Sequence, residues 1–220
     1  MSKYFSNRAV AGVELSVKLQ KYRYENCAVL ALNPGAVLVA EQIAAKIHSV
    51  LMMLLIEDIE ISENDDTIIG TLDNRGSFIY NNTYSSGELE EWTSEYHNSI
   101  EAGKLTKLNE MHRLLGEHGV VDDKLLLGRN VILVSDGLRT GVTVAAAINY
   151  LKPIKTEKII SAVPVASVTA VDKLHLLTDE IQCLSVVEQY FDTAHYYDDN
   201  SIPDTPQIVA KIDQIIKNWQ

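Results

Sequence analysis

Residues 130–143 read N-V-I-L-V-S-D-G-L-R-T-G-V-T. The run 131–134 is continuously apolar, the pattern of a strand buried on both faces in a parallel sheet. It stops at Ser135, Asp136 and Gly137, and after a Gly/Thr segment a helix-forming stretch covers 144–151. A buried strand running through a short loop into a helix predicts an α/β protein. The same loop has the makings of an anion site. Backbone N–H groups at a helix N-terminus lack partners and point outward. Gly141, with no Cβ, lets a ligand approach the backbone. Thr140 and Thr143 add hydroxyl donors. Asp136 stands at the carboxyl end of the strand, where open α/β sheets bind ligands. A carboxylate beside a phosphate cradle would repel the phosphate, but it suits a diol or a bridging metal ion. One phosphate with one diol describes a ribose 5-phosphate.

Working outward, the chain alternates helices and apolar strands. Residues 8–22 predict an amphipathic helix, with Val10, Val13, Leu15, Val17 and Leu19 as its apolar side. A strand is expected at 27–32, a turn at Asn33, Pro34, Gly35 and Ala36, a helix at 37–48 and a second buried strand at 50–56. The acidic run 57–66 reads as an exposed, solvated loop. Segments 67–72 and 77–80 flank D-N-R-G and predict a hairpin. Residues 88–118 are helical, with a break expected near Gly103. Beyond the central stretch come a strand at 158–165, a helix at 168–177, a short strand at 180–184 and an aromatic irregular segment at 187–199. A last helix starts near Pro206, capped by Asp204 or Thr205, and runs to about Trp219.

Composition narrows the function. The 220 residues suit one α/β domain, and a formal net charge of −11 argues against general nucleic-acid binding. Cys27 and Cys183 flank apolar segments and read as buried, reduced thiols. The first eight residues lack the apolar run of a signal peptide, and 50–56 is too short to span a bilayer. The expectation is a cytoplasmic protein with no membrane partner. His48, His97, His112, His118 and His175 are scattered without metal-ligand spacing. The spacings of the P-loop and of the dinucleotide-binding Gly-rich loop are both absent.

A strand, an acidic residue, Gly137, two residues and then Thr140-Gly141-Val142-Thr143 before a helix resembles the phosphoribosyl-pyrophosphate loop of the type I phosphoribosyltransferases. The N-terminal helix, the strand and Gly loop at 29–36, the run 159–166 and the tail His195-Tyr196-Tyr197-Asp198-Asp199 extend the resemblance over nearly the whole chain. It implies a mostly parallel sheet flanked by helices, with a hairpin-and-helix flap at 57–118 and a C-terminal hood at 185–203. It implies that Ser135, Asp136, Gly137, Leu138, Arg139, Thr140, Gly141, Val142 and Thr143 hold ribose and its 5′-phosphate. Asp136 would be the catalytic and metal-linked acid. Asn33, Pro34, Gly35 and Ala36 would form the pyrophosphate loop, and His195, Tyr196 and Tyr197 the hood over the acceptor. Mg²⁺ is the implied cofactor, and a homodimer the implied assembly.

The chain departs from the family pattern in three places. Ser135 stands where the family places the first of two acids. Asn33-Pro34 replaces an Arg-Gly, and Pro34 has no N–H to offer. Glu57 and Asp58 stand where related chains carry basic residues. Two functions therefore stay open. One is transfer of ribose 5-phosphate from phosphoribosyl pyrophosphate to a nitrogen nucleophile such as a nucleobase. The other is a catalytically degenerate binder of ribose phosphates or nucleotides. A phosphate-ester hydrolase on the same fold is a weaker third.

Overall fold

A computed structural model describes residues 3–61, 67–115 and 121–217. In chain order the elements are α1 (Arg8–Lys18), β1 (Cys27–Ala31), α2 (Pro34–Ile47), β2 (Val50–Met53), β3 (Ile56–Glu60), β4 (Ile68–Asp73) and β5 (Phe78–Tyr80). They continue with α3 (Ser86–Glu95), α4 (His97–Leu115), β6 (Asn130–Val134), α5 (Val142–Leu151), β7 (Lys158–Ser167), α6 (Val168–Leu177), β8 (Glu180–Val187) and α7 (Thr205–Lys217). Five strands form a sheet in the order β2-β1-β6-β7-β8, and every neighbouring pair is parallel. The quoted strand is its centre. Every residue of β6 is buried, which is why its sequence is apolar without alternation.

Alternate side chains of the central strands serve two cores. Val29, Ala31, Ile132 and Val134 pack with α1, α2 and α7 on one face. Ala28, Leu30, Val131 and Leu133 pack with α5 and α6 on the other. The hairpin forms as expected around Asp73, whose carboxylate accepts from the backbone N–H of Arg75 and Ser77. Among the described residues, no helix is long and apolar enough to cross a membrane.

Several expectations are corrected. The buried side of α1 is Arg8, Ala11, Gly12, Leu15 and Ser16, while Val10, Val13 and Val17 face outward at 41–61% exposure. Close approach decided this. A Cβ at Gly12 would stand 2.6 Å from the Val39 carbonyl oxygen of α2, so the small residues take the contact. The first four residues of the acidic run are not loop. They form most of β3, which pairs antiparallel with β4 because Ile56, Ile59 and Ile61 need burial. The rest of the run, 62–66, lies outside the described residues. The helical break falls at Tyr96, the cap of α3, and Gly103 stays inside α4. The helix after the loop begins at Val142, two residues early, and β8 reaches Val187, three residues late. Asp204 caps α7 by accepting from Gln207 N–H, and the expected end near Trp219 lies outside the described residues. Both cysteines are free. Cys27 is buried, but Cys183 is half-buried.

Candidate active site

The loop 135–141 leaves β6 and is tied down through the Leu138 N–H and the Leu138 and Arg139 carbonyls. Leu138 donates to the Val165 carbonyl at 3.0 Å, and Ser167 donates back to Leu138 at 2.9 Å from its N–H. The Ser167 hydroxyl donates to the Arg139 carbonyl at 2.5 Å. Gly141 closes the loop with φ +71°, a conformation that strains any residue carrying a Cβ, and serves as the cap of α5. The result is a row of donors with nothing to donate to. Among the described residues, none accepts from the backbone N–H of Arg139, Thr140, Gly141 or Thr143. The Val142 N–H has a long bond to the Thr140 hydroxyl at 3.4 Å. Ser135 is occupied locally, its hydroxyl donating to the Gly137 carbonyl at 2.8 Å.

A cleft of about 670 Å³ opens in front of these donors. Ser135, Gly137, Leu138, Arg139, Thr140, Gly141 and Thr143 line one wall, with Asn33 beside them. Glu57, Asp58 and Glu60 of β3 also line the cleft, as an acidic wall, with Lys107 of α4. Tyr190, Phe191, Asp192 and Thr193 close the third side. The electrostatics of the acidic wall are partly compensated. Lys107 Nζ stands 3.3 Å from Glu57 and 3.7 Å from Glu110. Burial first, and then the neighbouring Glu57 and Glu60, push the Asp58 carboxyl up from 3.8 to about 6, against the pull of Lys107 and Arg139.

Asp136 sits behind this surface. Its Oδ2 accepts from Arg8 Nε at 2.7 Å in an ion pair that is 4% and 8% exposed on its two sides. Its Oδ1 accepts from Asn33 Nδ2 at 3.0 Å, and its carbonyl accepts from the Tyr197 hydroxyl at 2.5 Å. Burial and the Asp136 carboxylate hold that hydroxyl far above the usual phenol range, so it remains a donor.

The turn at Asn33 is in fact a helix start. Asn33 caps α2 by accepting from the Ala36 N–H at 2.7 Å, and Pro34 occupies the first helical position. The Asn33–Pro34 peptide is trans, since the described residues contain no cis bond. Gly35 is pressed against Asp136 and Arg8. Tyr196 and Tyr197 are buried against Phe5, and His195 is exposed and meets the Tyr4 hydroxyl at 3.1 Å. None of these three lines the cleft, and the aromatics that do are Tyr190 and Phe191.

Sequence reasoning missed Arg8, Lys107 and the segment 190–193, and it read Asp58 as part of a solvated loop although Asp58 lines the cleft. Asp58 carried a signal, because acidic residues spaced between isoleucines fit a strand. Arg8, 128 residues from its partner, carried none.

The model of the phosphoribosyl transferase domain family matches residues 6–198. Two curated relatives from Mycobacterium tuberculosis, strains CDC 1551 and H37Rv, are each named "Putative phosphoribosyl transferase". Each is 24% identical over 218 residues, which is 99% of this chain and 48% of the relative. The chain thus spans about half the length of the curated relatives it matches. The crystal structure of TT1426 from Thermus thermophilus has a TM-score of 0.70 at 24% identity, covering 96% of this chain and 98% of that one. That likeness is one of fold. A parallel sheet with a donor-rich Thr-Gly-x-Thr loop at the end of its central strand, together with the match over 6–198, makes the chain a member of the phosphoribosyl transferase domain family, with the type I phosphoribosyltransferase fold.

Proposed function

We propose that the chain transfers ribose 5-phosphate from phosphoribosyl pyrophosphate to a nitrogen nucleophile, releasing pyrophosphate. The observation that carries this reading is the row of unpartnered N–H groups at Arg139, Thr140, Gly141 and Thr143, at the mouth of a cleft. The 5′-phosphate would take those N–H groups and the Thr140 and Thr143 hydroxyls. Arg139 would add a cation. Asp136, buried behind the cleft-lining Asn33, would accept from ribose hydroxyls that reach past Asn33. Breaking the bond from C1 to pyrophosphate leaves an oxocarbenium-like centre, so the protein's work is positioning and charge stabilisation. Tyr190 and Phe191 would stack on the acceptor.

The donor set fits magnesium at the acidic wall better than at Asp136. Both Asp136 oxygens already accept hydrogen bonds, from Arg8 and Asn33. Asp58 and Glu57 are hard oxygen donors in the cleft lining, and the Asp58 carboxyl is raised by burial first and then by Glu57 and Glu60, so a cation there would be favoured. Among the described residues no group of three or more His, Cys, Asp or Glu could hold a metal unaided. Asp58 and Glu57 would therefore hold a hydrated ion that the ligand's phosphates also bind. The chemistry it would supply there is neutralisation of the diphosphate charge.

A second reading is favoured by the other end of the cleft. Pro34 has no N–H, the Ala36 N–H is spent on Asn33, and three acidic residues, Glu57, Asp58 and Glu60, line the cleft, where they would repel a diphosphate. A chain that keeps the monophosphate half alone would bind ribose phosphates or nucleotides without transferring them.

Calorimetric titration separates the two. Phosphoribosyl pyrophosphate with Mg²⁺ is expected to bind at least tenfold tighter than ribose 5-phosphate or AMP. Equal affinities would move the assignment to the binder, and no binding of any of the three would remove both. The Thr143 hydroxyl carries a sharper prediction, because no group among the described residues claims it. Thr143→Ala should weaken every 5′-phosphorylated ribose by about tenfold, the value of one hydrogen bond to a charged group at about 1.5 kcal/mol. Unchanged affinity in the folded variant would remove the phosphate from the loop.

A further inference from the structure

We propose that Arg8 is a positioning residue of this site, aiming the Asp136 carboxylate and tying it to the segment 196–200. The proposal rests on the assignment of the ribose hydroxyls to Asp136. Arg8 is the first residue of α1, and its backbone is fixed by Asn7, whose side chain caps the helix by accepting from Val10 N–H at 2.9 Å. Its side chain does three things at once. Nε donates to Asp136 Oδ2 at 2.7 Å, Nη1 reaches Asn200 Oδ1 at 3.4 Å, and the guanidinium lies 4.6 Å from the centre of the Tyr197 ring.

Tyr197 completes the circuit by donating to the Asp136 carbonyl. The two chain segments involved are also joined through their backbones. Phe5 donates to the Tyr196 carbonyl, Asp198 to Phe5 and Asp199 to Ser6, each at 2.9 Å. Residues 5–8 and 196–200 are therefore tied to each other, and both converge on one residue of the loop after β6.

The arrangement has a use beyond stability. A buried ion pair adds little net stability over apolar packing of the same size. What this pair does supply is direction. Arg8 and Asn33 each take one oxygen of Asp136, so the carboxylate is held from both sides, and Asn33 lies on the cleft wall. A diol that reaches past Asn33 from the cleft would meet an acceptor already oriented, which is preorganisation by supporting residues. The hydrogen bonds, ion pair and ring contact of Arg8 go to Asp136, Asn200 and Tyr197 and not to the phosphate donors at 139–143, so ribose recognition and phosphate recognition should separate when Arg8 is changed.

The test uses Arg8→Lys and Arg8→Gln, each titrated with ribose 5-phosphate and with inorganic phosphate. Arg8→Gln should lose about tenfold or more in affinity for ribose 5-phosphate while keeping phosphate affinity within about twofold. Arg8→Lys should fall between it and the parent, since lysine keeps the charge and loses the fork. Equal losses for both probes, or no loss in either folded variant, would overturn the proposal. So would a parent protein that binds phosphate and gains nothing from ribose. If Arg8→Gln does not fold, Arg8→Lys carries the comparison. If the parent binds neither probe, the phosphate reading itself has failed, and amide hydrogen exchange decides the positioning role. Faster exchange in Arg8→Lys confined to 136–138 and 196–200 would support it, and a uniform rise or no change would overturn it.

Discussion

Gly35→Ala is expected to destabilise the protein by about 2–4 kcal/mol and to abolish binding of ribose phosphates. Nothing in the backbone demands glycine there, since Gly35 is not among the residues with positive φ. Space demands it. An added methyl would overlap Asp136 Oδ2 and stand 2.9 Å from Arg8 Nε. Side-chain ends can often yield, but these are held. Asp136 is a short side chain bonded at both oxygens, and Arg8 is 4% exposed. Displacing either breaks a buried ion pair, which is worth about 3–5 kcal/mol when one charge is left behind. The better helix propensity of alanine returns up to about 1 kcal/mol. Urea unfolding of the variant against the parent checks the figure. A folded variant within about 0.5 kcal/mol of the parent, the size of an ordinary surface change, would mean that the pair is free to move and that Asp136 is not held in place.

The central strand, its loop and the strand–helix order were readable because each is written locally. A run of four apolar residues has one comfortable place in an α/β sheet, and Gly141 stands where φ is positive. Other features were written in three dimensions. The valines of α1 look like a core face until Gly12 is seen to touch the Val39 carbonyl of α2. Hydrophobicity then loses to close packing. Charge hid β3 in the same way, because Glu57, Asp58 and Glu60 outweigh the flanking isoleucines in any local count, while the strand is set by Ile56, Ile59 and Ile61 being buried against the neighbouring elements. In the tail, the aromatic triplet at 195–197 drew the eye. Its tyrosines serve Phe5 and Asp136, and the cleft takes residues five positions earlier. Which side of a segment faces a site is decided by the backbone pairing of Phe5 with Tyr196 and Tyr197, and no local pattern encodes that.

Replacing Asp58 by Asn is expected to stabilise the protein by about 2 kcal/mol at pH 8, with the gain vanishing as the pH falls to about 4. Asp58 is held at about 6 in the folded chain, above its ordinary 3.8, chiefly by burial and then by Glu57 and Glu60. The folded state therefore holds this proton more tightly than the unfolded state does. Below about pH 4 both states are protonated and the carboxyl exerts no penalty. As the pH rises through about 6 the folded state must carry a charge it resists, and stability is lost. A carboxyl moved this far carries about 3 kcal/mol of disfavoured charge, which partial exposure reduces to about 2. Asparagine has no charge to lose, so the two urea-unfolding profiles should diverge between about pH 4 and 7 and run parallel above. Profiles that stay parallel throughout would mean that Asp58 is solvated. The same variant tests what the acidic wall is for. If Asp58 and Glu57 share a magnesium ion with a diphosphate, Asp58→Asn should weaken phosphoribosyl pyrophosphate in the presence of Mg²⁺. If the wall is there to exclude the diphosphate, the same substitution should tighten it, with or without the metal. The two readings of the site predict opposite signs for one titration.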